Sequence, residues 1–409
     1  MRVLMIAPTS FFSDYGGHIR ILEEMRALGE LGVEVAVVTY YMGKDVPGID
    51  IRRTAPLPWH TDYEVGSSRH KIAFDAYLAA KTAKEVLRYR PDVIHGHMHE
   101  GALIGGVMAR LTGKPLVFDY QGSLTAEMVD HHFLDPKGWV YPWVYRMESM
   151  ITRRFPQAIL ASSGQAVALL RDQFKVEPDR IHALPDCADA RQFDRSRFPY
   201  SPAEHPLRAR LNISPDTTLI GYLGLLTDYQ GIPHLLESAV ELRRRGEDVH
   251  FLIMGYPNVE HYQTIARLRG VDGIVSFTGR IPFAQAPYFL AACDIAVAPK
   301  MSLSEGSGKL LNYMAMELPV VAYDTVVNRE YLGDLGVYAR PGDVGGFIEG
   351  IFRLVNSPTL REDLGRQLRH RVATEYSWQA SAERIIQIYE TIDNETNSLY
   401  TTSSRKTAS

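Results

Sequence analysis

The sequence predicts an α/β protein made of two domains, each a parallel sheet covered on both faces by helices. Three observations carry this expectation. At 409 residues the chain is too long for one ordinary core, and two domains of about 150 to 200 residues follow. Short runs rich in Val, Ile and Leu alternate with longer amphipathic segments, the pattern of parallel strands buried on both sides. The series occurs twice, with a proline-rich, charged stretch between.

In the first half the apolar runs place strands at 2–7, 33–40, 49–54, 92–97, 115–120 and 158–162. Helices near 17–31, 71–89, 100–112 and 164–174 separate them, where apolar residues recur with helical rather than twofold spacing. In the second half the strands fall at 218–224, 249–255, 274–278, 295–299 and 320–323, with helices such as 232–246 and 308–317 between them. Pro185, Pro199, Pro202 and Pro206 punctuate the stretch around 186–215 and mark a crossover linker. The expected domains are therefore 1–198 and 199–378. A last helix over 379–393 carries Ala382, Ile385, Ile386, Ile388 and Tyr389, enough to pack on a core. Polar, Ser/Thr-rich 394–409 reads as a disordered tail.

A net charge of −4 argues against general nucleic-acid binding. Cys187 and Cys293 stand far apart without ligand spacing, which points away from a disulfide scaffold or a zinc site and toward a cytoplasmic protein. No run approaches the ~20 apolar residues that span a bilayer, so any membrane contact would be peripheral. The aromatic stretch Trp139–Arg146, followed by Arg153 and Arg154, suits a membrane interface. A core-packed helix with a charged end is the favoured reading, because large aromatics dominate ordinary cores too.

Several loops could carry chemistry. Gly16 and Gly17 follow the first strand and open a helix, leaving free N–H groups suited to an anion. A flexible strand–helix turn accounts for them equally well. His95, His97 and His99 alternate after Asp92. On a strand their side chains would stand about 6–7 Å apart, too open for a metal without carboxylates nearby, so no metal is expected. One histidine, His97, at the carboxyl end of its strand is the better candidate for chemistry. Asp119 and Glu127, around Gln121, are plausible acceptors for a polyhydroxylated substrate, or else a helix cap and a solvated acid.

The segment Ser304–Glu305–Gly306–Ser307–Gly308–Lys309–Leu310–Leu311–Asn312, running on through Met314–Ala315 to Pro319–Val320–Val321, is the most specific signal. It resembles the donor-binding motif of the retaining GT-B glycosyltransferases of family 4. Gly16–Gly17, Pro91 to His97, Gly224, Gly231, Phe277, Gly279, Asp294 to Pro299 and Tyr376–Ser377–Trp378 follow in the family's order.

The resemblance implies two facing Rossmann-like domains with an interdomain cleft, and a last helix that crosses back to the first domain. It implies a nucleotide-sugar donor, no metal and no cofactor, and a glycan or lipid-linked acceptor, with a role in cell-envelope polysaccharide or glycolipid synthesis. Glu305 and His97 become the catalytic candidates. Donor binding is implied for Gly16, Gly17, Gly224, Arg280, Gly306, Ser307, Gly308, Lys309, Leu310 and Asn312, and the acceptor side for Asp119, Gln121 and Glu127.

Three departures stand out: Leu225 and Gln230 replace the cations that usually grip the diphosphate, Asn312 replaces the second Glu, and Gln121 replaces a His. Lys309, Arg280 and the helix N-terminus at 306–308 could compensate. The alternatives are a nucleotide-sugar epimerase of the same architecture and a non-catalytic sugar-binding paralogue.

Overall fold

A computed structural model describes residues 1–12, 16–58, 71–130, 133–300 and 307–406. The chain divides into two compact units. One comprises 1–186 together with the segment from Trp378 onward; the other comprises 187–300 and 307–377.

The first unit is a seven-stranded parallel sheet in the order β3-β2-β1-β4-β5-β6-β7. Its strands are β1 Arg2–Ala7, β2 Glu34–Thr39, β3 Asp50–Arg53, β4 Val93–His97, β5 Leu116–Tyr120, β6 Ala158–Ala161 and β7 Ile181–Ala183. The second is a six-stranded parallel sheet, β10-β9-β8-β11-β12-β13. It holds β8 Thr218–Leu223, β9 Val249–Met254, β10 Val275–Gly279, β11 Ile295–Ala298, β12 Val320–Tyr323 and β13 Val337–Ala339. Successive strand residues point to opposite faces. Leu219, Leu252, Met254, Ala296, Val320 and Ala322 therefore fill one core of the second unit, while Ile220, Phe251, Ile253, Ile295, Val297 and Val321 fill the other.

All eleven strands read from the sequence are present. The two it lacks, β7 and β13, are three-residue edge strands that are only partly buried, too short to show a period.

In both sheets the strand order reverses beside the first strand, between β1 and β4 and again between β8 and β11. Open parallel sheets bind ligands at the carboxyl ends of the strands flanking such a reversal, where adjacent loops diverge. Gly16 and Gly17 follow β1, His97 ends β4, Asp119 lies near the end of the neighbouring β5, and Gly224 follows β8.

Three expectations need correction. The boundary lies between Asp186 and Cys187, ahead of residue 198, because 187–198 is tied into the second unit. Phe193 is buried in its core, and Arg195 donates to the carbonyls of Ala291, Cys293 and Met316. The tail expected from Asn394 is instead helical, since the last helix runs Trp378–Lys406. Its core-facing Ile385, Ile388, Tyr389 and Ile392 anchor it, and no Gly or Pro interrupts 378–406, so helix propagates past the packed part. Finally, helix Tyr141–Arg154 buries Glu148, Ile151 and Thr152, while Trp139 is 82% and Trp143 64% exposed. These tryptophans are not core.

Candidate active site

At the reversal in the first sheet, β4 and β5 set His97 beside Asp119 as register partners. His97 Nδ1 lies 2.9 Å from Asp119 Oδ2. Helix Gly16–Glu30 lays Arg20 across the same carboxylate, with Nη2 2.9 Å from Oδ1 and Nε 3.2 Å from both oxygens. Arg20 also donates to Asp186 at 2.8 Å, and Gln121 Nε2 donates to Asp119 Oδ2 at 2.7 Å. Burial pushes the Asp119 carboxyl up, but the Arg20 guanidinium and the His97 hydrogen bond outweigh it. Asp119 therefore stays an anion, well below the ordinary carboxylate range.

Behind this pair, the His95 ring stacks on His97 at 4.5 Å between centroids and 21°. The rings lean together, closer than the spacing along a strand suggests. His95 Nδ1 shares a 2.6 Å hydrogen bond with the Tyr389 hydroxyl on the last helix and lies 3.3 Å from Glu24 Oε1. Glu24 is wholly buried and neither of its oxygens has a hydrogen-bond partner among the described residues. Burial and the nearby Asp119 charge push its carboxyl up to about 7, against the opposing pull of His97 and Arg20. Burial and the neighbouring His97 hold His95 neutral, well below the usual histidine value.

The argument against a metal, a lack of carboxylates, fails in the folded chain. Donor atoms of Glu24, His95, His97 and Asp119 all lie within 4.8 Å of one another, although the Arg20 cation already takes Asp119. His99 leaves the group: it sits in helix Met98–Thr112, with Nε2 3.3 Å from Glu148.

His97 and Asp119 are both fully buried, and Asp119 holds Gln121, which is half-buried. With its amide nitrogen on Asp119, the Gln121 oxygen turns toward Gly17, where a Cβ would stand 3.1 Å away. Gly16 and Gly17 begin their helix, and half-buried Glu127 lies on helix Leu124–Asp130. Sequence reasoning missed Arg20, Glu24 and Tyr389. Only the spacing of Arg20 and Glu24, one helical turn apart and hence on one face, could have signalled the first two.

At the second reversal, β8 delivers Tyr222 and then Gly224 at φ 156°. A Cβ on Gly224 would meet Lys309 Nζ at 2.6 Å, so only glycine leaves the lysine room. Lys309 Nζ donates to Gln230 Oε1 at 2.8 Å and to the Tyr222 hydroxyl at 3.2 Å, and stands 4.5 Å from the Tyr222 ring centroid. Gln230 occupies a position where a cation was expected; here it holds one that arrives from helix Lys309–Ala315. Gly231, at φ 82°, approaches the Pro299 carbonyl so closely that a Cβ would collide with it.

Asn312 follows Lys309 by three residues on the same helix and is half-buried. Gly308 caps that helix, and Ser307 is buried with its hydroxyl unpaired among the described residues. Arg280 is exposed after β10 and lies over the Tyr256 ring at 4.9 Å, while Leu226 donates to the Tyr256 carbonyl. Leu310 is corrected: its side chain lies wholly in the core, because that helix turns its apolar face inward, and it offers a donor nothing but backbone. Glu305 and Gly306 lie outside the described residues.

Residues 16–187 match the family model described as glycosyl transferase 4-like domain, and residues 217–357 match that described as glycosyl transferases group 1. The chain is 27% identical to an MMP alpha-(1->4)-mannosyltransferase of Mycolicibacterium hassiacum, over 95% of this chain and 98% of that protein. Its fold is similar to sucrose-phosphate synthase from Thermosynechococcus elongatus, with a TM-score of 0.81 at 17% identity over 96% of this chain and 98% of that one. It is also similar to Anabaena Alr3699/HepE in complex with UDP, with a TM-score of 0.74 at 15% identity over 96% of this chain and all of that one.

Proposed function

Because the chain belongs to the group 1 glycosyltransferases, we propose that it moves a hexosyl group from a nucleoside-diphosphate sugar to a hydroxyl acceptor with retention of configuration, in glycan synthesis of the cell envelope. In this reaction the bond from the anomeric carbon to the acceptor oxygen forms as the bond to the diphosphate breaks. The acceptor's proton leaves with the diphosphate, which departs on the face that is attacked.

The observation that carries the donor side is the seat of Lys309. Its ammonium is held by Gln230 and Tyr222 in the Gly224–Gly231 loop, at the strand ends where a parallel sheet binds ligands. A cation and glycine-opened backbone together suit a diphosphate. Elsewhere, Asp119, itself held by Arg20 and His97, fixes the Gln121 amide so that its oxygen lies beside Gly17 as a hydrogen-bond acceptor, which suits a sugar hydroxyl. Relatives include a mannosyltransferase and a 2-deoxystreptamine glucosyltransferase, which favours a hexose.

The test is calorimetric titration with UDP, GDP and ADP, followed by proton NMR of the product formed from the matching sugar nucleotide. One nucleotide binds the wild type, and Lys309→Ala weakens it by about 10- to 100-fold, as expected for loss of a charged hydrogen bond of ~1.5–3 kcal/mol. Unaltered affinity in Lys309→Ala removes the lysine from the site, and an inverted anomer in the product refutes retention.

A further inference from the structure

We infer that the outer face of helix Tyr141–Arg154, with the turn before it, is a docking surface for an anionic lipid bilayer. Apolar side chains at the surface are ordinary one at a time; here they are contiguous. Phe133, Trp139, Val140, Trp143, Met147 and Met150 are all exposed. Along the helix Trp143, Arg146, Met147, Met150 and Arg154 recur at three- and four-residue steps, so they share one face. The opposite face is held to the unit by buried Glu148, Ile151 and Thr152. Glu148 accepts from the backbone N–H of Thr125 at 2.9 Å, so the helix is fixed and its aromatic face cannot turn inward.

Charge selects the occupant. The whole chain carries −4, yet 133–154 contains Lys137, Arg146, Arg153 and Arg154 against two acids. One of those acids, Glu148, is buried, which leaves Asp135 as the exposed acid of the segment. Cations flank the apolar middle at both ends. Tryptophan prefers the headgroup level of a bilayer, and a helix with an apolar face and basic flanks lies in the plane of an anionic membrane. No helix among the described residues is long and apolar enough to cross one, so attachment is lateral and reversible. This inference stands apart from the catalytic reading.

The experiment is co-sedimentation of the full chain with vesicles of phosphatidylglycerol and phosphatidylcholine, and with phosphatidylcholine alone, at low and high salt. The wild type pellets with the anionic vesicles and is released by salt. Arg153→Gln with Arg154→Gln lowers the partition coefficient roughly 25-fold, about fivefold per cation. Trp139→Ser with Trp143→Ser abolishes pelleting, while the thermal midpoint of each double variant stays at the wild-type value and shows it folded. Failure to pellet at low salt overturns the inference, as does pelleting that survives both variants. A dimer seen by sedimentation velocity that the tryptophan variant dissolves, without vesicle binding by the wild type, also overturns it and assigns the face to a second copy of the chain.

Discussion

Glu24 shows how a fold can hold a proton that the sequence gives no reason to expect. Its carboxyl value rises from 4.5 to about 7, so the folded chain binds the proton more tightly than the unfolded one. Stability from this source is complete below about pH 4.5 and falls as the pH rises through 7. The variant Glu24→Gln keeps the shape and removes the titration. Relative to it, the wild type is expected to lose on the order of 3 kcal/mol between pH 4.5 and 7.5, following 1.36 kcal/mol per unit. Urea midpoints measured for both proteins across that range check this, and parallel curves would mean that Glu24 is already ionised in the fold. His95 works in the opposite sense, since its lowered value costs stability as the pH falls, and comparison with the glutamine variant isolates the Glu24 part. The candidate site was legible where residues sit at strand ends, as with His97, Asp119 and Lys309. It was not legible where the fold recruits from elsewhere: Arg20 and Glu24 come from a helix face, and Tyr389 from 294 residues away. The role given to Gln230 also reversed, from a missing cation to the group that seats one, because sequence spacing does not show which way a distant lysine points.

At the scale of elements, the last helix is a structural part of the first unit. Tyr389 is fully buried among Glu24, His95 and Asp119, and Ile385 is fully buried with it. Tyr389→Ala leaves a cavity beside two histidines and removes the hydroxyl that pairs with His95, so a loss of about 3–5 kcal/mol is expected. Tyr389→Phe removes the hydroxyl alone and should cost about 0.5–1.5 kcal/mol. Chemical denaturation followed by near-ultraviolet circular dichroism would check both, and equal losses would show that packing contributes nothing there. The sequence predicted this helix from its apolar positions. It could not place the end, because Asn394 to Lys406 is polar and nothing in its composition separates an extended tail from a helix propagated from a packed stem. Helix Tyr141–Arg154 misled in a different way. Its aromatic content read as core, whereas three- and four-residue spacing decides only which residues share a face, not whether that face is covered.

For the whole molecule, two units with separate cores imply separate responses to ligand. A nucleotide at a hundred times its dissociation constant adds about 2.7 kcal/mol to the part that binds it. Hydrogen exchange with and without the binding nucleotide should slow in the Gly224–Gly231 loop and helix Lys309–Ala315, while β1 to β7 keep their rates. Protection confined to the first unit would move the donor site there. The parallel sheets and their order of helices were legible because burial on both faces writes a continuous apolar run for each central strand. The unit boundary was not, because a proline-rich stretch marks where regular structure stops and not which core its neighbours join. That boundary carries a further consequence, for synthesis. The described residues of the second unit run from Cys187 to Ser377, whereas the first is closed by a helix made after it. At roughly 5–20 residues per second, the 294 residues between His95 and Tyr389 take roughly 15–60 s to add. For that interval the nascent first domain holds its buried histidines under an open seam, and the domain begun first is the one completed last.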